Sequence, residues 1–261
     1  MSEWQRALVT GASSGIGAAF ARRLAVEGTH LVLVARGSDD LERLAAELRA
    51  THGISAEVLP ADLTAATDRK AVRDRLGADD EPVDLLINNA GIGTSGAFGE
   101  IPLEREVALV QLNVTAVVEL AHAAVAAMRA RGRGGVINVS SLSGLQPYPH
   151  GANYGASKAY VISLSKALST ELSGHGVKVL ALCPGFTRTS FQRSAGISRT
   201  PIPGWLWLTP EQVAREGLSA LRRGRSIRVV GAAFRVWAGL TKVVPDVLLR
   251  RALASAGAHR T

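Results

Sequence analysis

The sequence predicts an α/β protein, a doubly wound parallel sheet of about seven strands with helices on both faces. Three observations lead there. Short apolar runs of strand length alternate with amphipathic stretches of helix length along the chain, the pattern of successive βαβ units. The first run, Arg6–Thr10, passes straight into a glycine turn, Gly11–Gly17, and then a helix. Farther on, the apolar run at Val136, Ile137 and Val139 opens into a Gly/Pro-rich loop and a helix starting near Ala152. That helix carries Tyr154 and Lys158 at i and i+4, so one face presents a phenol beside an ammonium.

The bulk properties set the frame. A chain of 261 residues can bury a full core, and 47% hydrophobic with 20% charged residues is ordinary for a globular protein. No internal repeat or low-complexity linker interrupts it, so one domain over 1–261 is expected. The single cysteine, Cys183, excludes an internal disulfide and suits a reducing, cytoplasmic compartment. The opening MSEWQRALVTG carries an acid and a tryptophan and enters a strand directly, so no secretory signal is expected. No run of about 18 uninterrupted apolar residues occurs; the nearest, Gly231–Leu249, is broken by Arg235, Lys242, Pro245 and Asp246. Net charge is +8, from 30 basic and 22 acidic residues. The basic clusters Arg129–Arg133 and Arg222–Arg228 fall near predicted helix ends, where cations are favoured. Nucleic acid is therefore not expected as a partner, whereas a multiply phosphorylated cofactor suits the charge. The histidines show no metal-ligand spacing.

In order along the chain, the glycine turn reads G-x-x-x-G-x-G between a strand and a helix over Ala18–Glu27 that Gly28 stops. It aims backbone amides at a helix N-terminus, an anion site. His30–Ala35 is a buried second strand followed by Arg36. In dinucleotide folds an acid at this strand's end bonds the ribose 2′-hydroxyl, while an arginine accommodates a 2′-phosphate. Ala35 stands where the acid would be, so Arg36, helped by the Ser14 hydroxyl, favours NADP(H) over NAD(H). Ser38 or Asp39 can cap a helix through about Thr51; Ile54–Leu59 is a third strand; Thr64 can cap a helix through Leu76; Pro82–Ile87 is the fourth strand. One long helix is expected from about Leu103 to Arg131, with Asn113 in its interior, where asparagine is mildly unfavourable and invites a packing or functional reason. The Tyr154 helix continues through Leu172, and Gly176–Cys183 is the sixth strand. Thr209 starts a helix to about Arg223, and Ser226–Val230 is a last strand.

These motifs together, TGASSGIG, N-N-A-G at Asn88–Gly91, the Ser141 to Tyr154-x-x-x-Lys158 spacing and P-G-x-x-x-T at Pro184–Thr189, resemble the short-chain dehydrogenase/reductase family over about Ala7–Thr189. The resemblance implies a Rossmann-type fold and reversible hydride transfer between a nicotinamide and a carbonyl or carbinol carbon. It implies a catalytic tetrad of Asn113, Ser141, Tyr154 and Lys158. It also implies that Gly11, Ser13, Ser14, Gly15, Ile16, Gly17 and Arg36 hold the cofactor's phosphates, and that Asp62 and Leu63 hold its adenine. Asn89, Ala90 and Gly91 would line the cofactor, Tyr154 and Lys158 would meet its ribose, and Pro184, Gly185, Thr187 and Thr189 its carboxamide. Family members are commonly homodimers or homotetramers through the two long helices. The competing readings are an NADP(H)-binding sensor or scaffold without turnover, and an epimerase or dehydratase, which generally carries a larger substrate domain.

Phe186–Leu208 lacks sustained periodicity and reads as a substrate loop or lid. Gln146, Tyr148, Phe191 and Trp205 are expected to shape a fairly apolar pocket, for a ketone, aldehyde or secondary alcohol, with a β-ketoacyl group as a narrower option. His150 precedes Tyr154 on the loop without a role assigned to it. Ala232–His259 is an apolar extension that would cover the pocket, form a subunit interface or rest on a membrane surface.

Overall fold

The computed structural model describes residues 3–146, 149–191 and 203–240. Its strands are β1 (Arg6–Thr10), β2 (His30–Ala35), β3 (Ala56–Pro60), β4 (Leu85–Asn88), β5 (Gly134–Val139), β6 (Val177–Cys183) and β7 (Ile227–Val229). They form one seven-stranded parallel sheet in the order β3-β2-β1-β4-β5-β6-β7. The order reverses between β1 and β4, the switch point beyond whose carboxyl edge such sheets bind ligands. Helices α1 (Gly15–Val26), α2 (Ser38–His52), α3 (Ala66–Gly77), α4 (Leu103–Val110), α5 (Ala116–Ala130), α6 (Ala152–Glu171), α7 (Pro210–Arg222) and α8 (Ala232–Leu240) complete the described elements. The expected α/β class and doubly wound sheet are what the structure shows.

Strand periodicity sorts the core into two layers. Ala7, Val9, Leu31, Leu33, Leu180 and Leu182 join Phe20 and Leu24 of α1, Leu44 of α2 and Leu221 of α7 in one layer. Their alternate neighbours, Leu8, Val32, Val34, Val136 and Val179, join Val72 and Leu76 of α3 and Leu120 and Met128 of α5 in the other. Each fully buried leucine contributes roughly 1.5–3 kcal/mol of transfer free energy.

Several boundaries move. The helix after the glycine turn begins at Gly15, not Ala18, and Gly15 takes a φ of +55°. Neither Ser38 nor Thr64 acts as a cap: Gly37 and Ala65 precede α2 and α3, while the Thr64 hydroxyl bonds Asp62 instead. Thr209 does cap α7, accepting from Gln212 N at 3.2 Å.

The larger correction is to the helix expected over Leu103–Arg131. It is interrupted by a π turn at Gln111–Thr115 centred on Asn113. The cause is a tertiary contact: the Asn113 amide exchanges two hydrogen bonds with the backbone of Ile92, and the extra residue in the turn lets that side chain face inward. By length and composition, the helical stretch Leu103–Ala130 is apolar enough to cross a bilayer. Much of that apolar surface is core, since Leu109, Ala116, Val117, Leu120, Ala121, Ala124 and Met128 are buried within the fold.

A polar ladder crosses the sheet beneath the carboxyl edge. Asn88 donates to Asn138 Oδ1 at 2.9 Å, Asn138 donates to Ser165 Oγ at 2.9 Å, and Ser165 donates to the Val161 carbonyl at 2.7 Å. The ladder ties β4, β5 and α6 at fully buried positions, where an unmet partner is expensive. Asn138→Ala is expected to lower the unfolding free energy by about 1–3 kcal/mol in urea titrations, because two buried groups, on Asn88 and Ser165, each lose one hydrogen bond at once.

Candidate active site

Thr10, the last residue of β1, builds the floor. Its hydroxyl accepts from the amides of Asn89 at 2.9 Å and Ala90 at 3.0 Å and donates to the Ile87 carbonyl, tying the ends of β1 and β4. The Asn89 side chain returns the tie by donating to Thr10 O at 2.9 Å and Gly11 O at 3.3 Å. This leaves no room for side chains on the turn. A Cβ at Gly11 would lie 2.8 Å from Asn89 Nδ2, and one at Gly17 2.1 Å from the Gly11 carbonyl. Gly11 also holds φ at +62°, a region glycine adopts without strain. Ser14, exposed, precedes α1 without a side-chain capping bond, and α1 has no acid in its first turn. Ser13 and Ile16 flank it half-buried. A bare turn opening onto a helix N-terminus free of negative charge fits a phosphate group.

Arg36 and Asp62 stand just beyond the carboxyl ends of the neighbouring strands β2 and β3. Asp62 accepts from the Thr64 amide at 3.0 Å and the Thr64 hydroxyl at 2.7 Å. Those bonds, with a smaller pull from the Arg36 cation, hold its carboxyl below the usual carboxylate range. Arg36 is exposed and makes no ion pair among the described residues, so its guanidinium is available to an anion. Leu63 is buried, and its carbonyl accepts from Arg69 at 3.2 Å, which anchors this loop to α3.

The residues expected to form the tetrad come from three elements: the π turn, the loop after β5 and α6. Asn113 on the π turn and Lys158 on α6 converge on Gly91, where an added Cβ would meet Asn113 Oδ1 at 3.1 Å and Lys158 Nζ at 3.4 Å. Asn113 also donates to Ser157 Oγ at 3.2 Å, and Ser157 donates to the Tyr154 carbonyl at 2.7 Å. Lys158 Nζ donates to the Val139 carbonyl at 3.0 Å and lies 5.8 Å from the centroid of the Tyr154 ring. The two serines after β5 separate cleanly. Ser140 is buried and donates to the Lys158 carbonyl at 2.7 Å, whereas Ser141 is half-buried and caps the short 3-10 turn Leu142–Gly144. Gly144 presses that turn against α6, where a Cβ would sit 2.5 Å from the Lys158 carbonyl carbon.

The loop after β6 closes the other side. Buried Pro184 accepts through its carbonyl from Leu142 N at 3.2 Å. Thr187 is buried, donates to Gly185 O at 3.0 Å and pairs with Leu208 in a parallel bridge, so the two ends of the expected lid are tied together. Thr189 reaches the glycine turn, its Cγ2 being 3.0 Å from where a Gly15 Cβ would lie. Phe191 places its ring 5.7 Å from that of Tyr154. Phe234 of α8 packs on Gly185 and, at 6.0 Å between rings, on Phe186. Trp205, also expected at the pocket, is 75% exposed. Gln146 is half-buried, and His150 is exposed with φ at +60°. Tyr148 and most of the extension lie outside the described residues.

Several residues at this edge are not marked by motif reading: Ser157, Asn138, and the pair Glu106 and Asn153. Thr10 opens the TGASSGIG motif and Ser140 adjoins Ser141, but the sequence does not show what either one bonds.

Burial pulls the Lys158 amine down to about 8 and pushes the Cys183 thiol up to about 12. Between pH 8 and the unfolded lysine value near 10.5 the unfolded chain binds the extra proton, so stability rises with pH across that window on account of Lys158. Above pH 9 the thiol acts in the opposite sense. The stability of Lys158→Met relative to the parent is therefore expected to be greatest at neutral pH and to shrink by roughly 3 kcal/mol by pH 10.5, measured by denaturant unfolding of the cofactor-free proteins.

Comparison with known proteins places this geometry. Residues 5–199 match the family model described as short chain dehydrogenase. A solved short-chain dehydrogenase from Sphingobium yanoikuyae, in complex with NADPH, is 37% identical with a TM-score of 0.82, over 92% of this chain and 96% of that one. The bulky-bulky ketone specific alcohol dehydrogenase from Comamonas testosteroni is 34% identical with a TM-score of 0.79, over 97% and 95%. The ketoacyl reductase HetN of Nostoc sp. is 31% identical over 246 residues, 91% of this chain and 82% of that protein. The protein belongs to the short-chain dehydrogenase family and is an oxidoreductase working between carbonyl and alcohol groups.

Proposed function

We propose that this chain is an NADP(H)-dependent reductase of fairly apolar carbonyl compounds, with Tyr154 as the general acid and base. One observation carries the reading: Asn113 and Lys158, from separate helices, meet at Gly91, with Ser157 linking Asn113 to the turn that holds Tyr154. The glycine turn would take the pyrophosphate, Arg36 the 2′-phosphate, Asp62 and Leu63 the adenine, and Asn89, Ala90 and Gly91 the adjoining ribose. Pro184, Gly185, Thr187 and Thr189 would hold the carboxamide end. NADPH, when bound, supplies the hydride.

The protein's own part is orientation and proton transfer. Ser141 donates to the substrate's carbonyl oxygen and fixes the carbon it belongs to. Tyr154 gives its proton to that oxygen, and the phenolate left behind is stabilised by the neighbouring Lys158 ammonium. With a pKa brought down to about 8, Lys158 exchanges its own proton near neutrality and can return one to Tyr154. Asn113 fixes the helix turn opposite Lys158 and would hold water on that path.

Phe191 beside Tyr154, and the cluster of Phe186, Trp207 and Phe234, argue for an apolar substrate body. An open surface depression bordered by Arg188, Thr189, Gly204 and Trp207 lies beside them. The bulky ketones of the Comamonas enzyme and the ketoacyl group of HetN are the two substrate types this surface suits. We further read the chain as one catalytic domain over 1–261, with 186–208 as the substrate loop and 232–261 as an apolar extension. Exposed Leu103, Val107 and Val110 on α4 and Tyr160 on α6 offer a face for a homodimer or homotetramer. The buried free thiol Cys183 accords with a reducing cytoplasm.

Tyr154→Phe is expected to lower turnover at least 10³-fold against a panel of aryl and acyl ketones, followed by NADPH absorbance, with NADPH affinity changed no more than about threefold. Binding without turnover in the unmodified protein would favour a sensor, and undiminished turnover in Tyr154→Phe would remove the assigned acid. Arg36→Asp is expected to shift the NADPH-to-NADH ratio of kcat/KM by roughly 10- to 150-fold, the worth of one charge-assisted bond; an unchanged ratio would place the 2′-phosphate elsewhere.

A further inference from the structure

Glu106, on α4, is buried to 6% exposure and has no ion-pair partner among the described residues. Its carboxylate accepts a hydrogen bond from Asn153 Nδ2, and the same amide donates to the Glu106 carbonyl at 3.0 Å. The second carboxylate oxygen, Oε1, is buried with no hydrogen bond among the described residues. A buried carboxylate held by a single neutral side chain is costly to keep and is not explained by stability.

Its position gives the explanation. Asn153 is the residue before Tyr154, in the first turn of α6. That turn lacks its usual fixings: Gly151 at the cap has no side chain to offer, and no acid stands in the first turn. His150 just before it sits at φ +60°, held through its carbonyl by Gly96 N at 2.9 Å. Glu106 supplies from another helix a side-chain acceptor for this turn, bonded to the Asn153 amide. A second tie runs parallel to the first. Asn113, seven residues after Glu106, holds Ser157, four residues after Asn153. Residues 153 and 157 share a face of α6, so the two ties clamp one turn of helix, and Tyr154 lies within it.

We propose that Glu106 is a positioning residue for Tyr154, acting through Asn153 to fix the first turn of α6 so that the phenol is held at the reacting carbonyl. This rests on the reading of Tyr154 as the acid. A misplacement of about 1 Å can cost 10²-fold in rate, so the effect belongs in kcat and not in cofactor binding.

The test compares Glu106→Ala, Asn153→Ala, their double variant and Glu106→Gln in ketone reduction. Glu106→Ala and Asn153→Ala are each expected to lose about 10- to 100-fold in kcat, with NADPH affinity unchanged and a larger primary isotope effect from 4-deuterated NADPH. Glu106→Gln, which keeps an acceptor for Asn153, should stay within about threefold of the parent, and the double variant should lose no more than the worse single one. If Glu106→Ala does not fold, Asn153→Ala carries the same expectation alone. Parent-like kcat in the alanine variants, a loss confined to KM, or losses that multiply in the double variant would overturn the proposal. A parent enzyme with no turnover would instead overturn the assignment of Tyr154, and the proposal with it.

Discussion

A buried amine on α6 is the constraint around which the carboxyl edge is arranged. Lys158 is 5% exposed, and its charge is held by the Val139 carbonyl at the end of β5. An ammonium taken out of water is stabilised only if its surroundings are fixed. The surroundings are fixed: Ser140 grips the Lys158 carbonyl, Gly144 packs against the same peptide, and Gly91 brings the Asn113 amide alongside. Any shift of β5 relative to α6 would open this arrangement, and the Asn88–Asn138–Ser165 ladder opposes that shift from below.

The polar ties at this edge rest on apolar layers that specify little chemistry. Leucine, valine and alanine fill both faces of the sheet and set the spacing of helices over strands. The polar contacts then select one relative position. Thr10 joins β1 to β4, Arg69 joins α3 to the loop after β3 and to Glu119 on α5, and Asn113 joins the π turn to both Ile92 and α6. Apart from the bond of Arg69 to Leu63, six residues away, these ties join segments well separated in the chain, so they become satisfied only as the strands and helices assemble. The phosphate-accepting turn and the proton-transfer residues of the proposed mechanism lie on this one edge for that reason.

The mouth of the site is built differently. Phe186, Trp207 and Phe234 make tilted and edge-on ring contacts, and Val236, Trp237 and Leu240 remain exposed on α8. Apolar contacts of this sort are less directional than the polar ties within. In the proposed mechanism, such a mouth would let substrates of different shape meet one constant proton-transfer edge.

Much of this was legible in the chain itself. Alternating strands and helices, the glycine turn and the Tyr154–Lys158 spacing are local signals, because strand and helix periods and backbone freedom at glycine act within a few residues. The reversal of strand order followed from the fold class that those signals select. Only tertiary structure decided the rest. The break in the long helix exists because Asn113 found the backbone of Ile92, twenty-one residues away, and Ser140 differs from Ser141 only through what faces each of them. The tie between Glu106 and Asn153 spans forty-seven residues. No local preference encodes such pairs: their hydrogen bonds become favourable only after the core has excluded water and brought the partners within reach.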